Sequence, residues 1–271
     1  MSEKTFENAG ISDNFFFQEV MKDTDLCKEL LELILEVEID HVTIVDTEKS
    51  IKNSYQSKGI RVDAYVNDSK GSVYNIEMQA EDISDILPKR IRFYQSSIDM
   101  NLLFKGQKYY QLKDLIIIFI CKFDPFDLEY YQYRFKNICV ENNKLIFDDG
   151  RTIILLNSKG KYPDISPKLK NFLSYVDGNK VIGDSFIDRL EHKLKEVKER
   201  DGCNMNWLSY NAALQDAEYI GEKKGEASGK EKMQCLLKRI KSGATNSMLL
   251  EEGYAQEDID KARKLFEEII S

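Results

Sequence analysis

Glu77 and Gln79 stand two apart in Ser72-Val-Tyr-Asn-Ile-Glu-Met-Gln79, so on a strand their side chains project from one face. Upstream, Asp63 lies in a second strand-like run, Gly59-Ile-Arg-Val-Asp-Ala-Tyr-Val66, and the intervening Asn67-Asp-Ser-Lys-Gly71 has turn composition. A hairpin closed there sets Asp63 opposite positions 75–77, with cross-strand Cβ atoms ~5 Å apart in a direct pair. Two carboxylates at that range repel unless they share a proton or a cation, and hard oxygen ligands with open positions suit Mg2+ or Mn2+. Facing acids on a hairpin are often only solvated charges balanced by lysine or arginine. Here the flanking Ile60, Val62, Val66, Val73 and Ile76 make both strands largely buried, where carboxylates are costly and usually functional.

A helix must follow this hairpin. Pro88 suits a first helical turn, and Ile91, Tyr94, Ile98, Leu102 and Leu103 form a stripe at helical spacing that ends near Gly106. Arg90 and Tyr94, four apart, share one face of that helix and can reach a phosphate; solvation of Arg90 and packing of Tyr94 are the alternatives. Residues 86–122 hold Lys89, Arg90, Arg92, Lys105, Lys108, Lys113 and Lys122 against Asp99 and Asp114, a local net charge of +5. That run is either a solvated face or one side of an anion-binding site. The formal net charge of −8 argues against an anionic partner only superficially. Residues 1–48 alone carry 13 acids against three lysines, a net of −10, and the other 223 residues are net +2.

The elements around these residues follow from periodicity. Apolar residues from Phe16 to Val37 recur at helical spacing with a break near Asp23-Thr-Asp25, predicting one or two opening helices. His41-Val-Thr-Ile-Val-Asp46 reads as a strand, and Leu115-Ile-Ile-Ile-Phe-Ile-Cys121 as a strand buried on both faces. The core order is therefore α-β-β-β-α-β. Beyond it, Lys144–Asn157 reads as a hairpin turning at Asp148-Asp-Gly150, and Ser166 to about Tyr219 as mostly helical, with Trp207 and Tyr210 packing a helix. The glycines of Gly221–Gly229 mark a joint, followed by amphipathic helices over Lys232–Ile240 and Asp258–Ile270 with turns at Gly243 and Gly253. The expected organisation is a core over 1–125, its elaboration over 126–220, and a helical tail over 221–271.

Composition excludes several classes. With 42% hydrophobic and 32% charged residues and only four prolines, the chain is globular, not disordered. Its longest apolar run, Leu115–Cys121, falls far short of the ~18–20 residues that cross a bilayer, and the first residues lack the build of a signal peptide, which points to the cytosol. The five cysteines are scattered without a C-x-x-C pair, so neither a disulfide framework nor a thiolate zinc site is expected. Gly225-Glu-Ala-Ser-Gly229-Lys230 has the wrong spacing and no following Ser or Thr for a phosphate loop, and His41 and His192 carry no ligand pattern.

In four segments the chain resembles the PD-(D/E)XK nuclease superfamily, and within it the Rpn group of recombination-promoting nucleases, also described as transposases. The resemblance rests on Gly59-Ile-Arg-Val-Asp63-Ala-Tyr, Tyr74-Asn-Ile-Glu77-Met-Gln79, Leu87-Pro-Lys-Arg90-Ile-Arg-Phe-Tyr94-Gln95-Ser and Phe119-Ile-Cys-Lys-Phe-Asp124-Pro-Phe126, and runs from about Ser12 to about Ile220. It implies an α/β, restriction-endonuclease-like α-β-β-β-α-β core with a mixed sheet and a helical C-terminal elaboration. It further implies a metal-dependent endonuclease acting on DNA, double-stranded DNA being the expected substrate, with Mg2+ or Mn2+ held by Asp63, Glu77 and the Met78 carbonyl, and with Arg90, Tyr94 and Lys89 on DNA phosphates. Gln79 occupies the place of the superfamily's signature lysine; a neutral amide can orient the attacking water but brings no positive charge, which shifts that task to Arg90 or the metal. An acid of the first helix can assist the metal in related nucleases, which leaves Glu19 and Glu29 as candidates. The alternative expectation is a nucleic-acid-binding recombination accessory protein with weak or lost catalysis, and RNA or phage nucleic acid is an alternative substrate. The remaining expected partner is a second copy, through the C-terminal helices.

Overall fold

A computed structural model describes residues 5–46, 49–51, 60–69 and 71–270. Gly59, Lys70 and the side chains of Ile60 and Val62, on which part of the sequence reading rests, lie outside that description. The elements in order are α1 (Asn14–Met21), α2 (Thr24–Leu35), β1 (Val42–Asp46), β2 (Lys49–Ile51), β3 (Ile60–Val62), β4 (Ala64–Asp68), β5 (Val73–Gln79), α3 (Leu87–Leu102), β6 (Leu115–Cys121), β7 (Gln132–Phe135), β8 (Arg151–Asn157), α4 (Pro167–Val176), α5 (Ser185–Lys198), α6 (Cys203–Lys241), α7 (Asn246–Glu251) and α8 (Gln256–Ile270). They form two compact units, Met1–Trp207 and Leu208–Ser271.

In the first unit a six-stranded mixed sheet runs in the order β1-β4-β5-β6-β8-β7. The expected break between the opening helices falls at Lys22-Asp23, where Asp23 caps α2 by accepting from Leu26 N at 3.3 Å; Asp13 caps the start of α1 in the same way, accepting from Phe16 N at 3.2 Å. β4 and β5 form the expected antiparallel hairpin, with Ala64 opposite Ile76. β6 is parallel to both β5 and β8, and its near-complete burial explains the unbroken apolar run. α3 covers one sheet face through Leu87, Ile91, Tyr94 and Ile98, packed on Val73, Ile117, Phe119 and Leu155. α1 and α2 pack on the sheet elsewhere, and α5 packs on both. Trp207 is buried and its indole N–H donates to Asp13 Oδ2 at 3.3 Å, as a packing residue should.

Two expectations change. The Lys144–Asn157 hairpin does not form: β8 takes β6 as a parallel and β7 as an antiparallel partner, and only a single bridge joins Ile138 to Ile146. The apolar stretch Ile153–Leu156 pairs with strands on both edges and buries itself in the sheet, which a local hairpin cannot offer. The joint at Gly221–Gly229 is also absent. All three glycines lie within α6, among alanine, glutamate and lysine, whose helix propensity outweighs the ~1 kcal/mol cost of each glycine.

In the second unit, Leu236, Ile240, Leu249, Ile259 and Ala262 close a small core among α6, α7 and α8. That core uses the apolar faces on which self-association was expected, so homo-oligomerisation through these helices finds no support. Among the described residues no helix is long and apolar enough to cross a membrane.

Gly160 follows β8 where the backbone passes close to the 123–131 loop, and a Cβ there would lie 2.6 Å from Tyr131 N. Gly160→Ala is expected to destabilise the protein by ~2 kcal/mol or more in a denaturant titration. Gly221→Ala, on an open helix face, is expected to stabilise it by ~0.5–1 kcal/mol.

Candidate active site

The sheet creates the site by losing a strand pair. The β4–β5 ladder ends at Ala64 and Ile76; the chain bends at Asp63, and β3 pairs with β2 instead. Residues Glu77–Gln79 keep β6 on one edge and, among the described residues, have no strand on the other. Asp63 fills that gap. Its Oδ2 accepts from Met78 N at 2.9 Å, and its own N–H donates to Glu77 Oε1 at 3.2 Å. The two carboxylates are thus brought together by reciprocal bonds, each held by the other residue's stretch of backbone. In a strand the N–H and C=O of one residue point to the same edge, so the Met78 carbonyl faces the Asp63 side too.

Asp63 is 5% exposed and Glu77 2%. Burial, and then the negative charge of Asp63, push the Glu77 pKa well above the usual carboxylate range, and Arg90 opposes the rise. Arg90 Nη2 lies 3.6 Å from Glu77 Oε2. Its Nη1 donates to Gln79 Oε1 at 2.9 Å, and its Nε and Nη2 donate to the Tyr94 hydroxyl at 3.3 and 3.0 Å. The guanidinium carbon also sits 5.2 Å from the Tyr94 ring centre and 5.6 Å from that of Phe119. Three side chains from three elements, Gln79 of β5, Tyr94 of α3 and Phe119 of β6, thereby hold one permanent cation beside Glu77.

These contacts revise the roles expected of individual residues. Gln79 uses both ends of its amide, donating to the Glu81 carbonyl at 2.8 Å and accepting from Arg90 at 2.9 Å, so it ties the cation to the strand while one N–H and one lone pair of the amide remain unused by these two bonds. Tyr94 is 7% exposed with its ring in the core, and its hydroxyl accepts from Arg90. Lys89 is exposed on the same turn of α3. The two candidate acids of the opening helices are engaged in ion pairs: Glu19 of α1 with Lys22 and Arg200, and Glu29, which lies on α2, with Arg189. The basic run is divided as well. Lys122 is beside Gln79, its N–H donating to the Gln79 carbonyl at 3.0 Å, but Lys105, Lys108 and Lys113 lie between α3 and the start of β6, which pairs with Val73. Four residues of strand, ~13 Å, separate that end from Glu77.

Gln18 of α1 was not singled out from sequence. It is 1% exposed, its Nε2 donates to Asp63 Oδ1 at 2.7 Å, and its Oε1 is buried with no hydrogen-bond partner among the described residues. The available signal was one amide on an otherwise apolar helix, Asn14-Phe-Phe-Phe-Gln-Glu-Val-Met21, and nothing local links it to Asp63, 45 residues away.

The donor set fits a divalent cation. It offers two carboxylates, the Met78 carbonyl and Gln18 Oε1, all oxygen, with the Arg90 guanidinium 3.6 Å from Glu77. Among the described residues no group of three or more His, Cys, Asp or Glu could hold a metal; two carboxylates suit an ion that keeps several waters.

Residues 14–160, more than half of the chain, match the model of the family described as PD-(D/E)XK nuclease family transposase. No curated protein and no solved structure matches the chain.

Mg2+ at ~100 times its dissociation constant would stabilise the native state by ~2.7 kcal/mol, a rise of roughly 5–10 °C in the unfolding midpoint of a unit this size. Glu77→Gln, which removes buried repulsion and keeps the acceptor for Asp63 N–H, is expected to raise the metal-free midpoint and flatten the response to Mg2+. A wild-type Mg2+ response in that variant would contradict the site.

Proposed function

The chain belongs to the PD-(D/E)XK nuclease family transposases, and on that premise we propose that it is a Mg2+- or Mn2+-dependent endonuclease hydrolysing DNA phosphodiester bonds. The observation that carries the reading is the buried Asp63–Glu77 pair at the end of a broken strand ladder. Asp63, Glu77 and the Met78 carbonyl would hold the ion, which supplies Lewis-acid polarisation of the phosphate and an acidified water. Gln18 holds Asp63 in place through its Nε2.

The protein's own contribution to charge stabilisation comes from Arg90. Hydrolysis adds a water oxygen to phosphorus and breaks a bond to a ribose oxygen, and negative charge accumulates on the non-bridging oxygens between. A lysine at position 79 would normally meet that charge in this superfamily. Here Gln79 Oε1 and the Tyr94 hydroxyl hold the Arg90 guanidinium at that place, so the charge is supplied from α3 and not from β5. Lys89 and Lys122 add positive potential at the same end of the sheet, which supports an anionic substrate. A DNA substrate and five free cysteines accord with a reducing, DNA-containing compartment such as the cytosol.

Cleavage of supercoiled plasmid with Mg2+ or Mn2+ tests this. Asp63→Ala and Glu77→Ala are expected to abolish cleavage, and wild-type rates in either would refute the assignment. Arg90→Ala should lower the rate by ~10²-fold or more, as removal of a charge-stabilising donor does. Adding Gln79→Lys to Arg90→Ala should restore part of that loss, because a cation returns on the strand. If wild type binds DNA and none of these proteins cleaves, the accessory-protein reading replaces the nuclease.

A further inference from the structure

The face of α3 turned away from Glu77 borders two adjoining clefts of 340 and 260 Å³ that share Phe135 and Ile153. The first, walled by Leu87, Pro88, Phe126, Phe135 and Leu155, is almost wholly apolar. The second continues it and is polar, with Arg92, Gln95, Lys136 and Arg151 on its rim. Strand direction orients the groove. Leu87 and Pro88 open α3 and Leu155 is near the end of β8, so the apolar part starts at the catalytic end of the sheet and the basic part lies further along α3. Arg151 is paired with Asp99, but Arg92 and Lys136 have no carboxylate partner among the described residues. Phe126 and Phe135 meet edge to face, 5.6 Å between ring centres, and are 38% and 41% exposed.

We propose that this groove binds an unpaired nucleic-acid strand leading to or from the catalytic end, with bases against Phe126 and Phe135 and phosphates on Arg92 and Lys136. Aromatic walls interleaved with unneutralised cations are what a single strand needs, since each base offers an apolar face and each nucleotide a negative charge. A base locked in a duplex cannot enter a cleft of this size; an unpaired one can. The distance is short. Arg90 and Pro88 are on the same turn, and one helix width of ~10 Å, about three stacked nucleotides, separates the Glu77 side of α3 from the groove. The assignment rests on the nuclease reading and narrows its substrate to DNA carrying a single-stranded segment, such as a flap, overhang or melted end.

The test measures binding without catalysis. Fluorescence anisotropy of a labelled oligothymidine of about 15 nucleotides, within the span such grooves cover, is followed in EDTA with the full-length protein, beside a blunt duplex. Arg92→Glu combined with Lys136→Glu should weaken oligothymidine binding about tenfold or more and lower its log–log salt slope by about 1.4, two phosphate contacts at ~0.7 each. Phe135→Leu, which keeps apolar packing, should weaken binding about fivefold or more with the salt slope unchanged, since a stacked base is worth ~1–3 kcal/mol. Blunt-duplex binding should stay within about twofold in each. No measurable oligothymidine binding by wild type, or affinities within about twofold of wild type in both variants, would overturn the proposal and leave the groove to a peptide. Plasmid cleavage unaffected by groove substitutions that also leave binding unaffected refutes the groove alone; groove-dependent binding with no metal-dependent cleavage refutes the nuclease alone.

Discussion

Two carboxylates, Asp63 and Glu77, sit side by side where water hardly reaches them, and the protein must offset their desolvation and mutual repulsion. Much of the local architecture serves that end. The bend at Asp63 releases β5 from its strand partner, so that a backbone N–H becomes available to the Asp63 side chain. Gln18 supplies a second donor from α1. Arg90 brings the compensating charge from α3, on the opposite side of the strand ladder. A metal ion between the acids, as proposed, would complete the compensation.

The same constraint accounts for Gln79. A lysine there would place a cation beside Glu77 on the strand itself. Glutamine leaves that charge to Arg90, whose guanidinium is held on Gln79, on the Tyr94 hydroxyl and over two aromatic rings. Arginine suits the arrangement because its planar fork donates in several directions at once and it stays charged when half-buried. On the nuclease reading, moving the charge to α3 would also tie catalysis to the helix that borders the aromatic and basic groove.

The acid pair was legible because its signals are local: a period of two put Glu77 and Gln79 on one face, a short turn put Asp63 opposite, and apolar flanks marked the pair as buried. α3 and β6 were equally legible, from Pro88 with a helical stripe and from an apolar run too short for a helix. What escaped depends on contacts far apart in the chain. Gln18 looks like any helical amide until Asp63 is folded against it. β8 could not be assigned a partner from its own residues, because pairing with β6 or with a nearby hairpin arm needs the same apolar alternatives. The basic run from Lys89 to Lys122 looked continuous, yet it traverses a helix from one end of the sheet to the other, so Lys105, Lys108 and Lys113 are delivered away from the acids. Gly221, Gly225 and Gly229 read as a joint only when the helix formers between them are given too little weight.

The central claim is that the broken ladder at Asp63 builds a divalent-metal site, and the most direct measurement is an anomalous-difference map of crystals of the protein soaked in Mn2+. The account predicts a peak within ~2.0–2.6 Å of a carboxylate oxygen of Asp63, a carboxylate oxygen of Glu77 and the Met78 carbonyl. A map with no peak between these residues, or with Mn2+ bound elsewhere while Glu77 remains engaged only by Arg90, would contradict it.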